Sequence, residues 1–129
     1  MLNVLVLDDS KEDRFFICRA LRKATDATPI EFSYADEALA FLRTPDRPSI
    51  DLILADISMP RVNGFQFADR FMELYPELKG SAPLYIVSSS IDPDDSTRAQ
   101  AHPGIAGLLP KPLTSDALNK VIKQVADKA

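Results

Sequence analysis

The sequence predicts an α/β fold in which a five-stranded parallel sheet, with strand order 2-1-3-4-5, carries five helices on its two faces. Short apolar runs alternate with helical patterns five times along the 129 residues, and this alternation is typical of βα units in a parallel sheet. The run at 50–56, IDLILAD, is nearly continuous in apolar residues, as a strand covered on both faces requires. With five units, this strand order is the expected one and places strand 3 at the centre of the sheet.

The strands are predicted from short apolar runs bounded by polar or turn residues. The first run, LNVLVL, is followed directly by two aspartates, and the fourth, APLYIVSSS, ends in three serines. Pro110 falls in the fifth run, where it removes a backbone donor, and proline is tolerated in an edge strand. The predicted strands are 2–7, 30–35, 50–56, 82–90 and 104–112.

The helices are predicted from apolar residues at helical spacing and from the capping residues that precede them. Ser10, Asp36 and Asp92 are placed to begin helices, and Pro93 suits a first helical position. The segment 92–103 has a thin apolar face and is bounded by prolines, so we expect a short helix there. The predicted helices are 10–24, 36–44, 64–76, a fourth that begins at Asp92, and 114–129.

Length and composition predict one globular domain that spans residues 1–129. Hydrophobic residues make up 46% of the chain and charged residues 26%, a balance typical of a domain that buries its own core. The net charge of −4 and the lack of a Lys/Arg cluster disfavour nucleic-acid binding. No apolar stretch approaches the roughly 20 residues of a membrane span. Cys18 is the only cysteine, which fits a reducing compartment, so we expect a cytoplasmic protein with no membrane partner.

Three carboxylates are predicted to meet at one edge of the sheet. Asp8 and Asp9 end the first strand and Asp56 ends the third. In this topology the strand order reverses between strands 1 and 3, and ligands bind beyond the carboxyl ends of the strands at such a point. Two carboxylates about 4 Å apart repel by roughly 4 kcal/mol at an effective dielectric near 20, so a cation is expected beside them. An all-oxygen site suits Mg²⁺ better than Zn²⁺.

Two further groups are predicted to reach the same edge. Ser88 is the first hydroxyl after the apolar part of strand 4, and Lys111 follows the apolar part of strand 5. A metal ion, a fixed ammonium and a hydroxyl can together hold the oxygens of a phosphoryl group during its transfer to a carboxylate. Asp56 is the expected acceptor, because it lies between the acidic pair and the side that carries Ser88 and Lys111.

These five positions, together with the turn DISMPRVNG after strand 3, resemble the receiver domains of two-component response regulators, the CheY-like family with a flavodoxin-like fold. The resemblance covers residues 2–127 and favours the single-domain type. It implies that a histidine kinase or a phosphotransfer protein phosphorylates Asp56. It also implies that Ser88 moves toward the phosphoryl group, that Lys111 pairs with one of its oxygens, and that the bond before Pro112 is cis.

The resemblance further implies a magnesium site. Asp9 and Asp56 would bind Mg²⁺ directly, Asp8 would help through water, and the backbone carbonyl of Ser58 would be a further ligand. One departure from the family concerns the output face. Many receivers have Tyr or Phe three residues before the lysine, and this chain has Leu108 there, so a switch based on an aromatic rotamer is not expected.

The fifth helix ends the chain, so we expect no attached output domain. The output would then pass to an unknown downstream protein, along a phosphorelay, or through a homodimer. Such a protein is not an enzyme in the usual sense, since it catalyses only its own phosphorylation and dephosphorylation. Three alternatives remain open at this point: an adaptor with this fold that is not phosphorylated, a Mg²⁺-dependent aspartyl phosphohydrolase, and a receiver excised from a longer protein.

Several other residues are expected to be structural. Phe65, Phe67 and Phe71 fit helix packing with one partly exposed member, and Cys18 fits the core of the first helix. His102 stands between Ala101 and Pro103 and is expected to be an exposed loop residue rather than a ligand.

Overall fold

Five strands and five helices alternate along the chain in the computed structural model, which describes residues 2–74, 82–89 and 92–128. None of the helices in these ranges is long and apolar enough to cross a membrane. The strands are β1 (Asn3–Leu7), β2 (Thr28–Phe32), β3 (Leu52–Asp56), β4 (Leu84–Ser88) and β5 (Gly107–Pro110). The helices are α1 (Lys11–Ala24), α2 (Ala35–Arg43), α3 (Gly64–Leu74), α4 (Pro93–Ala101) and α5 (Ser115–Lys128).

The strands form one parallel sheet in the order β2-β1-β3-β4-β5, which confirms the predicted fold. β3 lies at the centre, paired with β1 on one side and with β4 on the other. All five residues of β3 are buried, as its continuous apolar run predicts. β5 is an edge strand, and Pro110 at its end therefore stands where a missing backbone donor is tolerated.

The core consists of two apolar layers, one on each face of the sheet. One layer joins the sheet to α2, α3 and α4 and contains Phe65 and Phe67, with Phe71 partly buried beside them. The other joins the sheet to α1 and α5 and contains Leu118 and Cys18. Full burial of a side chain such as Phe67 contributes about 1.5–3 kcal/mol, so these two layers provide most of the stability. The predicted packing roles of the three phenylalanines and of Cys18 are confirmed.

Burial also determines the chemistry of the single thiol. Cys18 is 4% exposed, and burial, together with the nearby Glu31 carboxylate, raises the pKa of its thiol to about 11. A thiol with so high a pKa carries almost no thiolate at neutral pH and is a poor nucleophile. Cys18 is therefore a core residue.

The boundaries of β2 and α2 differ from the prediction. β2 ends at Phe32 rather than at residue 35, because its partner β1 ends at Leu7, which pairs with Phe32. α2 then begins at Ala35, with Tyr34 at the N-cap and no side-chain capping bond. Asp36 therefore lies in the first turn, where a negative charge is favourable near the helix N-terminus, instead of at the cap.

β5 is shorter than the predicted run 104–112. It starts only at Gly107, because the residues before it close the turn after α4, where the Ile105 N–H donates to the His102 carbonyl at 3.2 Å. Just beyond the strand, the peptide bond before Pro112 is cis, as the resemblance implied. The strand predicted at 82–90 is β4, and its predicted end at Ser90 lies outside the described residues, as does the predicted end of α3 at Pro76.

α4 is short and polar, as predicted. Among its described residues only Ala99 is buried, and Asp92 caps it by accepting a backbone N–H from the first turn. His102 lies in the loop just after α4, as predicted, but its predicted exposure is wrong, because its side chain is only 14% exposed. Its ring Nε2 bonds the Asp69 carboxylate of α3, and its Nδ1 accepts the Gly104 N–H at 3.0 Å. His102 thus joins the end of α4 to α3.

Candidate functional site

Three carboxylates lie together at the carboxyl end of the sheet. Asp8 follows β1 directly, Asp9 is the next residue, and Asp56 is the last residue of β3. Because β1 and β3 are neighbours, one oxygen from each carboxylate lies within 4.8 Å of the other two. Asp8 is fully buried and Asp56 is 8% exposed, whereas Asp9 is exposed. The three predicted acidic residues are therefore brought together by the strand order.

The turn between β1 and α1 holds the buried Asp8 in place. Its backbone N–H donates to the Phe32 carbonyl of β2 at 3.1 Å, and its Oδ1 accepts the Ser10 N–H at 2.9 Å. Ser10 is also the N-cap of α1. Arg14 of the same helix donates to the Asp8 carbonyl at 2.6 Å. The Ser10 N–H gives the carboxylate a hydrogen-bond partner, which a buried carboxylate needs, since an unpaired one would be strongly disfavoured. The bonds to Phe32 and Arg14 hold the Asp8 backbone.

The Lys111 ammonium lies among three carboxylates. Its Nζ donates to Asp8 at 2.7 Å, to Asp13 at 2.8 Å and to Asp56 at 3.1 Å. Because an ammonium has three donor protons, each proton has an acceptor, and the side chain is only 12% exposed. The Lys111 backbone N–H donates to the Ser88 carbonyl at 2.8 Å, which fixes the residue just beyond the ends of β4 and β5.

The crowding of charges shifts two pKa values. Burial and the nearby Asp8 raise the pKa of Asp56, and the Lys111 ammonium offsets this only in part. Burial acts to lower the pKa of Lys111, but hydrogen bonds to Asp13 and Asp8 outweigh it, so the net pKa is raised. Lys111 is therefore charged throughout the neutral range. The Asp56 carboxylate is more basic than an ordinary aspartate, which favours its use as a nucleophile.

An open cleft of about 720 Å³ lies over the acidic cluster. Ser88, 3% exposed at the end of β4, lines the cleft near Asp56. The exposed Ser58 lines it from the loop that follows β3. The predicted site residues in its wall are Asp9, Asp56, Ser58, Ser88 and Lys111. The sixth, Asp8, is buried next to them and bonds the Lys111 ammonium.

The loop from β3 to α3 lies very close to the end of β3. A Cβ at Gly64 would stand 2.6 Å from the Asp56 carbonyl oxygen, so the close approach of α3 requires glycine. Arg61 in this loop has a φ of 68°, and its guanidinium lies over the Tyr34 ring, 4.7 Å from the centroid. Gly64 thus brings α3 against the end of β3, and Arg61 joins the loop that carries Ser58 to Tyr34.

The acidic cluster has the donor atoms that a hard divalent cation needs. Asp8, Asp9 and Asp56 contribute only oxygens, and carboxylate oxygens are the preferred protein ligands of Mg²⁺. Lys111 bonds two of the three, Asp8 and Asp56, so it offsets part of their charge and would compete with a metal ion. The residues present fit a divalent cation at this place.

Three charged residues in the wall of the cleft were not predicted to belong to the site: Asp13, Asp95 and Arg98. Asp13 is the third carboxylate on Lys111 and is 41% exposed. The sequence does hold a signal for it, because α1 begins directly beyond β1 and its first turn must lie at the same sheet edge as Asp8. Arg98 of α4 also lines the cleft, with its guanidinium 4.2 Å from the centre of the Phe65 ring. Nothing in the polar sequence of α4 distinguishes Arg98 from a surface residue.

Comparison with known families agrees with this fold and site. The family model described as the response regulator receiver domain matches residues 4–123. This range includes β1 from its second residue, the other four strands completely, and every predicted site residue. The chain therefore belongs to the receiver domain family of response regulators.

Individual relatives differ in how much of their length the chain covers. It is 33% identical over 121 residues to the sensor histidine kinase CheAY of Helicobacter pylori, which is 94% of this chain but 14% of that protein. It is 29% identical over 126 residues to the response regulator receiver protein CpdR of Brucella abortus, covering 97% of this chain and 98% of CpdR. The solved response regulator receiver protein from Dyadobacter fermentans is 32% identical, with a TM-score of 0.84 and 98% of both chains covered.

Proposed function

We propose that this protein is a phosphorylation-controlled switch whose Asp56 receives a phosphoryl group from a histidine kinase or a phosphotransfer protein. The observation that carries the proposal is the Lys111 ammonium, 3.1 Å from the Asp56 carboxylate at the floor of an open cleft. Ser88, Asp9 and Asp56 line the same cleft. Membership in the receiver family supports the same function.

In the proposed reaction an oxygen of the Asp56 carboxylate attacks the phosphorus of a phosphohistidine. The new P–O bond forms as the P–N bond breaks, and the electron pair of that bond leaves with the imidazole of the donor. The product on Asp56 is an acyl phosphate. The raised pKa of Asp56, caused first by burial and then by Asp8, supports the attack because a more basic carboxylate is a better nucleophile.

The acidic cluster is proposed to hold Mg²⁺ through Asp9 and Asp56, through Asp8 by way of water, and through the backbone carbonyl of Ser58. When bound, the ion would offset the negative charge that builds up on the phosphoryl oxygens. The Lys111 ammonium would offset the remaining negative charge, because it already lies beside Asp56. A donor fixed before the reaction stabilises a transition state more than one that must reorganise.

The switch is proposed to act on the side of the molecule formed by α4 and β5. A phosphoryl group adds a charge of about −1.5 to −2 and strong acceptor oxygens, which would draw in Ser88 and Lys111 at the ends of β4 and β5. Leu108 of β5 packs against the layer under α4 and lines a groove with Ala99. We infer that a shift of α4 over Leu108 replaces an aromatic rotamer change. A coupling of about 1–3 kcal/mol is typical for such a switch.

The output is proposed to reach a separate downstream protein or a second copy of this chain, in the cytoplasm. The net charge of −4 favours a protein partner over nucleic acid. On this proposal the protein catalyses only its own phosphorylation and dephosphorylation. An adaptor would not need Asp56, Ser88 and Lys111 in one cleft, and the dehalogenase type of aspartyl phosphohydrolase would need Asp-x-Asp after strand 1, where this chain has DDS.

Intact-protein mass spectrometry after incubation with acetyl phosphate tests the proposed function. We expect one phosphoryl group on the wild type with Mg²⁺, and none with EDTA or in Asp56→Asn. Asp51→Asn is the matched control, because Asp51 precedes β3 at the opposite end of the sheet, where its carboxylate accepts the Asn3 N–H at 2.8 Å. Equal labelling of wild type and Asp56→Asn, or no labelling of either, would contradict the proposal.

A further inference from the structure

The Lys111 ammonium has a third carboxylate partner for which the proposed phosphorylation site does not account. Asp13 Oδ2 lies 2.8 Å from Lys111 Nζ, nearly as close as Asp8 at 2.7 Å and closer than Asp56 at 3.1 Å. The Asp13 side chain is 41% exposed and stands in the wall of the cleft. A carboxylate at this position would repel the negatively charged phosphoryl group that the proposed site receives. Its presence beside Lys111 therefore needs an explanation.

The first turn of α1 holds Asp13 in position. Its backbone N–H donates to the side chain of the N-cap Ser10 at 3.2 Å, and an acid is favourable in this turn because of the helix dipole. The next residue, Arg14, donates to the Asp8 carbonyl at 2.6 Å and pairs with Glu31 of β2 at 3.3 Å. The turn is thus tied to two strands, and the Asp13 carboxylate reaches Lys111 from a fixed backbone.

The three carboxylates that bond Lys111 differ in whether they also belong to the candidate metal site. Asp8 and Asp56 belong to the cluster of oxygens within 4.8 Å of one another, and within the described residues that cluster does not include Asp13. Asp13 would therefore be free to stay with Lys111 if the other two carboxylates bound a cation. A lysine ammonium is a compact charge on a flexible four-carbon chain, so without a fixed partner it would lose its position in the cleft.

We propose that Asp13 is a positioning residue that keeps Lys111 Nζ beside Asp56 while a phosphoryl group is transferred. On this proposal Asp13 acts through its contact with Lys111 and not directly on Asp56 or the transferred group. This inference rests on the proposed function and extends it by assigning a part of the site to α1. The expected consequence is that loss of Asp13 slows phosphoryl transfer without preventing it.

The first test compares Asp13→Asn with Glu12→Gln. Glu12 is the neighbouring residue of α1 and is exposed, so its substitution removes the same charge from the same turn. With acetyl phosphate and saturating Mg²⁺, we expect Asp13→Asn to lower the phosphorylation rate constant about fivefold, since misplacing a catalytic group by about 1 Å can cost up to 100-fold. Glu12→Gln should change it less than about twofold, and Asp13→Glu should recover part of the loss. Equal rates in Asp13→Asn and Glu12→Gln would overturn the proposal.

A double-mutant cycle with Lys111→Ala separates positioning from a general charge effect. If Asp13 acts only through Lys111, adding Asp13→Asn to Lys111→Ala changes the remaining slow rate less than about twofold, because the two sites are coupled. That rate can be followed over hours by intact mass. An undiminished fivefold loss in the Lys111→Ala background would overturn the proposal.

A third measurement needs neither Mg²⁺ nor phosphorylation. In ¹⁵N NMR spectra of the metal-free protein, we expect slow proton exchange at the Lys111 ammonium in wild type and Glu12→Gln, and faster exchange in Asp13→Asn. Unchanged exchange in Asp13→Asn would refute the positioning role. If the wild type accepted no phosphoryl group while this difference in exchange was present, the proposed function would fail and the contact of Asp13 with Lys111 would stand.

Discussion

Replacing Lys111 by methionine should destabilise the protein and make Mg²⁺ a stronger stabiliser. Methionine has a similar length but no charge, so Asp8 and Asp56 would lose the ammonium that lies 2.7 and 3.1 Å from them. Breaking a buried ion pair by removing one partner typically costs about 3–5 kcal/mol. The third contact, to the partly exposed Asp13, adds at most about 1 kcal/mol.

Protonation of Asp56 limits this loss, because its pKa is already raised by burial and by Asp8 and would rise further without Lys111. We therefore expect the free energy of unfolding to fall by about 3 kcal/mol at neutral pH in EDTA. Domains of this size have about 5–15 kcal/mol in total, so the variant should stay folded. The raised pKa of Lys111 means that its contribution is complete below the unfolded pKa, about 10.4, and is lost as pH rises through the folded pKa.

Urea denaturation followed by circular dichroism, in EDTA and in Mg²⁺, measures both effects. The stabilisation by Mg²⁺ should be larger in Lys111→Met than in the wild type, because no ammonium competes for the carboxylates and the cation binds roughly tenfold tighter. Lys120→Met is the control, since Lys120 lies exposed on α5. The reasoning is refuted if Lys111→Met loses less than about 1 kcal/mol, the range of a surface ion pair, or if Mg²⁺ stabilises both proteins equally.

Three further substitutions test other parts of the account. Asp56→Asn should raise the free energy of unfolding by about 1 kcal/mol at pH 7 in EDTA, since the raised pKa of Asp56 means that its charged form is unfavourable in the folded protein. This gain in stability should shrink as pH falls through that pKa, because the wild-type carboxyl then becomes neutral. Urea denaturation at several pH values measures both effects. Ser88→Ala should slow phosphorylation by acetyl phosphate roughly tenfold or more, with Ser88→Thr close to wild type in the same mass assay. Gly64→Ala should lower the melting temperature and the free energy of unfolding, the latter by about 1–3 kcal/mol, because the new Cβ would stand 2.6 Å from the Asp56 carbonyl oxygen. An unchanged melting temperature would mean that α3 can shift.

The fold and the acidic cluster could be predicted because both follow from local patterns joined to one topological rule. Each apolar run predicts a strand, and in a parallel sheet all the strand ends that carry Asp8, Asp56 and Ser88 face the same edge. The boundaries of β2 were less predictable, because the strand ends where its partner ends at Leu7, and a sequence pattern does not contain the pairing register.

The wrong exposure predicted for His102 and the omission of Asp13 from the predicted site have a common physical origin. The partner of His102 is Asp69, 33 positions away on α3, and the partner of Asp13 is Lys111, 98 positions away. Both contacts depend on how a helix is rotated and placed on the sheet, which the packing of the apolar layers decides. Helical spacing in the sequence shows which face of a helix is apolar. It does not show which polar residues at the edge of that face contact residues of other elements.

The most direct test of the central claim is the chemical nature of the phosphoryl linkage. After incubation with acetyl phosphate and Mg²⁺, the labelled protein is treated with neutral hydroxylamine, which cleaves acyl phosphates and leaves phosphate esters of serine intact. The account predicts that the added mass disappears completely and that Asp56→Asn never acquires it. A label that resists hydroxylamine would place the phosphoryl group on a hydroxyl such as that of Ser58 or Ser88, and a label that persists in Asp56→Asn would place it on a residue other than Asp56. Either result would contradict the account.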